Sequence, residues 1–130
     1  MKIFGIGTDI VNIKRMRESL KKNGDIFKKR IFSKNEIIYC DKKKNSFPFY
    51  AKRFAAKEAF SKALGTGIRK GIYFKDIEIF NDGLGKPSIK LKGSTAKFLR
   101  KKIRNKKYSI YLSLSDDEPW AQATVIISLN

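Results

Sequence analysis

Residues 47–64, FPFYAKRFAAKEAFSKAL, constrain the fold more than any other stretch of the chain. Alanine, phenylalanine and lysine dominate it, Pro48 suits a first helical turn, and Gly65-Thr66-Gly67 closes it, so it reads as a helix. On a wheel of about 100° per residue, Phe47, Ala51, Phe54 and Ala55 share an apolar stripe, and Glu58 falls in its middle. An acid is seldom left unpaired on such a face. Two readings stay open: Glu58 is half of an ordinary helix ion pair with Lys62, worth about 0.2 to 0.5 kcal/mol, or it does chemistry.

A second acid is out of place in the same way. Residues 3–11 alternate as a strand, with Phe4, Ile6, Thr8 and Ile10 on one face and Ile3, Gly5, Gly7, Asp9 and Val11 on the other. Strands disfavour aspartate, and Gly5 and Gly7 leave its face bare, a geometry that suits close approach of a ligand. The alternative is a strand-end Asp9 capping the helix that follows. If strand and helix pack together, Asp9 and Glu58 can meet and hold Mg2+, which takes one or two protein carboxylates and leaves its other sites to water and phosphate oxygens. Asp116, Asp117 and Glu118 form a rival acidic cluster, read as a solvated hairpin tip.

The remaining pattern is mixed. A polar helix is expected over 12–22, ending at Asn23-Gly24, and Ser33-Lys34-Asn35-Glu36 has the form of a capping box opening a short helix. Strands are expected near 75–80 and 88–92, a basic amphipathic helix over 97–107, and a closing hairpin of 108–115 and 123–129 that turns at Asp116–Pro119. Helices interrupt the strands irregularly, so the fold class is α+β, with a small, mainly antiparallel sheet packed with helices in a single domain, 1–130.

Charge and absences narrow the chemistry. Thirty Lys and Arg against 12 Asp and Glu give +18, which calls for an acidic partner or substrate. Composition alone puts nucleic acid first, as a basic RNA- or ribosome-binding protein without catalysis. The basic residues are spread along the chain, however, and the densest run, seven within 97–107, carries no finger, zipper or RNP-like signature. With no histidine there is no Ser-His-Asp or Cys-His unit, and the one cysteine, Cys40, forms neither an internal disulfide nor a cysteine-rich metal site. No signal peptide or membrane span is evident, which makes a cytoplasmic protein the default expectation.

Taken in order, Gly5-Ile6-Gly7-Thr8-Asp9-Ile10-Val11 and the long run from Arg53 through Lys57-Glu58 and Lys62 to Gly65-Thr66-Gly67-Ile68 resemble the holo-[acyl-carrier-protein] synthase family of 4′-phosphopantetheinyl transferases. Asp76–Ile79, Gly85-Lys86-Pro87 and Ala121–Ile127 extend the likeness over nearly the whole chain. The resemblance implies the 4′-phosphopantetheinyl transferase fold. It also implies transfer of phosphopantetheine from coenzyme A to a serine of apo acyl carrier protein, for fatty acid biosynthesis, leaving adenosine 3′,5′-bisphosphate. It further implies a homotrimer with sites between subunits and neither nucleic acid nor membrane as partner.

Residue by residue, Asp9 and Glu58 stand at the family's Mg2+ positions, Lys62, Gly65 and Thr66 by the coenzyme A phosphates, and Lys86 with Pro87 near the nucleotide. Glu58 and Lys62 are then the catalytic pair, with Glu58 or a metal-bound water that it holds as proton acceptor and Lys62 adding charge at the leaving group. The acidic carrier is expected on the first helix, with Arg15 and Lys21, beside Lys14 and Lys22, pairing with its acids and Met16 and Leu20 making an apolar contact. One departure stands out: where many relatives carry histidine in the penultimate strand, this chain has Tyr111.

Overall fold

The architecture is built on one unusually close contact between a strand and a helix. In the computed structural model, which describes residues 1–130, β1 spans Lys2–Asn12 and the central helix spans Phe47–Leu64. A Cβ at Gly5 would collide with the carbonyl oxygen of Ala63, and one at Gly7 with that of Ala59. The bare face of β1 is therefore filled by helix backbone. This corrects the expectation that it admits a ligand: the two glycines let the helix lie directly on the strand.

Around this contact the elements run β1, α1 (Ile13–Ile31), α2 (Lys34–Asp41), α3 (Phe47–Leu64), a 3-10 turn (Phe74–Asp76), β2 (Ile77–Asn81), β3 (Pro87–Leu91), α4 (Gly93–Lys102), β4 (Tyr108–Asp117) and β5 (Trp120–Leu129). Three strands form an antiparallel sheet in the order β1-β5-β4, and β2 pairs with β3 in a second, two-stranded sheet. The register puts Gly7, Val125 and Leu112 in one row and Asp9, Ala123 and Leu114 in the next. This face packs under α3, and Ala123, Val125 and Ile127 are fully buried with Ala55, Ala59 and Phe60. The opposite face carries Ile6, Thr8 and Ile10 of β1, with Ile6 63% and Ile10 61% exposed. A bulge between Ile3 and Gly5 breaks the alternation, so Phe4, expected beside Ile6, packs against the core instead.

Local signals set most boundaries. Ser33 and Glu36 form the capping box, each side chain receiving the other's backbone N–H at 3.2 and 2.8 Å. Gly65 ends α3 in the left-handed conformation with φ 90°. Two boundaries differ from expectation. Gly24 does leave helical geometry (φ 41°, ψ −118°), but it makes a kink rather than a stop, because Phe27 and Ile31 beyond it return the chain to a second apolar cluster with Phe32 and Tyr50. The basic helix begins at Gly93, before the expected 97, because the Asp76 carboxylate accepts from the backbone N–H of Thr95 (3.2 Å) and its hydroxyl (3.0 Å). It ends at Lys102, ahead of Arg104 and Asn105, which both adopt positive φ.

Candidate active site

The contact of α3 on β1 decides which polar groups meet. Lys62 Nζ lies 3.0 Å from Asp9 Oδ1 and also donates to the carbonyl of Thr8 at 3.0 Å. The ordinary helix pair between Glu58 and Lys62 does not form; Lys62 reaches across to the strand, and Glu58 makes no ion pair. Burial pushes the Glu58 carboxyl above the usual range, the charge of Asp9 pushes it further, and Lys62 opposes both. Two carboxylates, one of them reluctant to ionise alone, therefore flank one lysine.

Asp9 and Glu58 open into a cleft of about 560 Å³, lined also by Asn12, Arg15, Met16, Phe54 and Trp120. Asn12 caps α1 by accepting the backbone N–H of Arg15 at 3.2 Å, which leaves Asp9 free of the capping role considered for it. The donor set fits a hard divalent cation: two carboxylates and open space for phosphate oxygens, with no third acid or histidine completing a closed cage. The rival acids do not converge on one point: Asp116, Asp117 and Glu118 form no three-ligand group, and Asp116 pairs with Lys52 at 2.8 Å while Glu118 pairs with Arg17 at 3.8 Å at the hairpin tip.

The family model of the 4′-phosphopantetheinyl transferase superfamily matches residues 5–123. The chain belongs to that superfamily. Among its relatives, the holo-[acyl-carrier-protein] synthase of Pelagibacter ubique is 47% identical over 127 residues, 98% of either chain. The crystal structure of the holo-[acyl-carrier-protein] synthase of Neisseria meningitidis superposes with a TM-score of 0.86 at 40% identity, covering 97% of this chain and 98% of that one. That of Bacillus anthracis, solved in complex with CoA (3′,5′-ADP), superposes with a TM-score of 0.82 at 36% identity over the whole of both chains.

Within this transferase fold the expected site residues fall into separate groups. Asp9, Glu58, Arg15 and Met16 share the cleft, and Lys62 touches Asp9. Gly65 and Thr66 lie at the end of α3, where the Gly65 N–H caps the carbonyls of Ser61 and Lys62. A helix C-terminus carries partial negative charge, so phosphate could be held there only with help from cations such as Lys62. Lys86 and Pro87 sit in the β2–β3 hairpin and do not line the cleft. Lys21 is exposed, with its ammonium 5.8 Å from the ring centre of Phe47. Met16 (4% exposed) and Leu20 (7%) are core residues of the cluster that holds α1 to α2 and α3. This corrects the apolar contact expected of them: the chain's own Phe32 and Tyr50 occupy that cluster, and only Met16 reaches the cleft wall.

Several residues of the site escaped the sequence reading. Phe27, carried back by the kink at Gly24, and Trp120 at the start of β5 wall the cleft. Arg53, 2% exposed, lies 4.1 Å from the ring centre of Tyr39 and donates to Asn81 at 2.6 Å. Asn81 in turn binds the carbonyl of Gly85 at 3.0 Å, which ties α3 to the hairpin of Lys86. Lys57 is wholly buried, and desolvation lowers its pKa against the opposing pull of Glu36. A charged residue directly after Ala55 and Ala56, both of them core positions, was the one available signal for Lys57.

Proposed function

We propose that this protein transfers the 4′-phosphopantetheine group of coenzyme A to a serine hydroxyl of an apo acyl carrier protein and releases adenosine 3′,5′-bisphosphate. One observation carries the reading: β1 and α3 bring Asp9 and Glu58 to one open cleft, with Lys62 held on Asp9, in a chain whose relatives bear the name holo-[acyl-carrier-protein] synthase. Asp9 and Glu58 would hold Mg2+, which when bound would neutralise charge on the pyrophosphate and its leaving group.

The chain's own groups do the rest by positioning and charge, as phosphoryl transfer requires. The serine oxygen forms a bond to the phosphorus that bears pantetheine while the bridging bond to the 5′-phosphate of the nucleotide breaks. Glu58, whose burial favours the protonated form, accepts the serine proton directly or through a water that it holds. Lys62 turns its ammonium from Asp9 toward the departing phosphate. Gly65, Thr66, Lys86 and Pro87 contact the coenzyme. Arg15 and Lys21 meet the acidic carrier at the rim, with Met16 and Leu20 supporting that surface from beneath.

The same reading takes residues 1–130 as one transferase domain, acting in the cytoplasm in fatty acid biosynthesis. No helix is long and apolar enough to cross a membrane. It also takes the protein as a homotrimer, because the sheet face away from α3 leaves Ile6, Ile10 and Tyr111 at least half exposed, a surface suited to a second copy. Tyr111 shares a row with Ile126 and Ile6 on that face, opposite the row of Asp9, so its hydroxyl serves the cleft of its own chain in no step.

The test is incubation with apo carrier protein, coenzyme A and Mg2+, read by the mass of the carrier. The expected result is a carrier heavier by one phosphopantetheine, and the loss of that product in Asp9→Asn and Glu58→Gln at unchanged circular dichroism. A folded protein that leaves the carrier unmodified, or carboxamide variants that retain near-normal transfer, would sink the proposal.

A further inference from the structure

Lys57 is the only lysine with no exposed surface, and its ammonium is fully used. Its three protons meet Glu36 Oε1 at 2.8 Å, the carbonyl oxygen of Phe74 at 2.8 Å and that of Ile77 at 2.6 Å. Glu36, 1% exposed, also accepts the backbone N–H groups of Ser33 at 2.8 Å and Ile79 at 3.0 Å. The Ser33 hydroxyl donates to Glu78 at 2.6 Å, and Glu78 meets Lys92 at 3.1 Å. One side chain of α3 is thereby fastened to α2, to the 3-10 turn and to β2. A buried ion pair is a poor source of stability, since apolar residues of the same volume often hold a core as well. What the pair does supply is direction.

Lys57 and Glu58 are neighbours, so their side chains leave α3 about 100° apart. One is anchored behind the helix while the other faces the cleft. Gly5 and Gly7 fix how near α3 lies to β1, but a close contact along a helix constrains rotation about its axis less firmly than its distance. A carboxylate about 6 Å from the axis moves by about 2 Å when the helix turns by about 20°, and a misplacement of about 1 Å can cost a reaction about 100-fold. We propose that Lys57 is a positioning residue: its three-way anchor sets the rotation of α3 and so aims Glu58 and Lys62 at Asp9. The inference rests on the transferase reading above.

The test uses the whole protein in three forms: Lys57→Met, Glu36→Gln, and the two combined. The single lysine variant strands a buried carboxylate, whereas the double variant removes both charges and is expected to recover most of the thermal stability. Recovery of the fold without recovery of function is the expected signature. In the double variant kcat falls about 10- to 100-fold, with KM for coenzyme A and for carrier each within about threefold of the parent. The affinity of Mn2+ alone for the apo protein, followed by loss of the free-ion resonance signal, falls about tenfold. Glu36→Gln, which keeps an acceptor for Lys57, shows the same changes in smaller degree. A folded double variant with kcat and Mn2+ affinity within twofold of the parent overturns the proposal. Should the double variant fail to fold, Glu36→Gln with unaltered kcat and Mn2+ affinity overturns it instead. Glu58→Gln, measured alongside, separates the two levels: full transfer there defeats the carboxylate site itself, whereas lost transfer there with full transfer in the double variant defeats only the positioning role.

Discussion

Gly7→Ala adds one methyl group at the seam on which the whole site depends. The new Cβ would collide with the Ala59 carbonyl and stand 2.6 Å from the backbone nitrogen of Ala63. Both obstacles are main chain of a buried helix, which cannot swing aside as a side chain would, so α3 must lift by about 1.5 Å to restore ordinary contact. Overpacking of a core costs about 1 to 3 kcal/mol. At about 2.1 cal/mol/K per residue, a chain of this size should melt about 4 to 11 °C lower. The lift also carries Glu58 and Lys62 away from Asp9, a displacement of the size that costs about 100-fold in rate. Scanning calorimetry and the carrier mass assay, run below the lowered melting point, read the two effects separately. If the bare strand face served a ligand, the variant would keep its melting temperature and lose only affinity for coenzyme A. That result would refute the seam.

Other outcomes follow from the same geometry. Arg15→Glu should raise KM for the carrier several-fold without changing KM for coenzyme A, and added salt should weaken the parent in the same direction, as expected of a rim charge. Ser33→Ala removes both a helix cap and the hydroxyl bound to Glu78, and should cost about 1 to 3 kcal/mol in urea titration at pH 7. Burial opposes ionisation of Glu78, yet the Ser33 hydroxyl and Lys92 outweigh it and hold its carboxyl below the usual range. The folded chain then binds fewer protons there than the unfolded one, so this stabilisation is complete above the unfolded value of 4.5 and drains as pH falls through the folded one. The Ser33→Ala penalty should therefore shrink at pH 3. Ile6→Lys with Ile10→Lys should lower the sedimentation mass toward that of one chain, and an unchanged mass would mean that this face is not where copies meet.

What the sequence made legible was local. The span of α3, its glycine stop, the capping box at Ser33 and the alternation of β4 each rest on neighbours within a few residues, and short-range rules read them directly. Asp9 and Glu58 stood out because each broke the pattern of its own element. The misreadings have the opposite origin. Gly5 and Gly7 looked like room for a ligand because nothing in the strand names the helix, more than fifty residues on, that fills the space. Met16 and Leu20 looked available because an amphipathic helix does not say which of its faces another helix covers. The early start of α4 depends on Asp76, whose carboxylate reaches Thr95 from outside the helix. The partners of Lys57 and Arg53, Glu36 and Asn81, lie 21 and 28 residues away, beyond the reach of any local pattern.

The pairing of β1 with β5 has a consequence for how the protein is made. Lys2 stands opposite Leu129 and Asn12 opposite Trp120, so the first strand finds its only partner in the last. While the chain emerges from the ribosome, β1 has no strand to pair with until residues 120–129 have followed. Its isoleucine-bearing edge is exposed during that interval, when unpaired strands are most prone to aggregate. Contacts so distant along the chain also make for slow closure. Asp9, Glu58 and Lys62 have all been made by residue 62, whereas Trp120, which walls the same cleft, arrives only with the last strand.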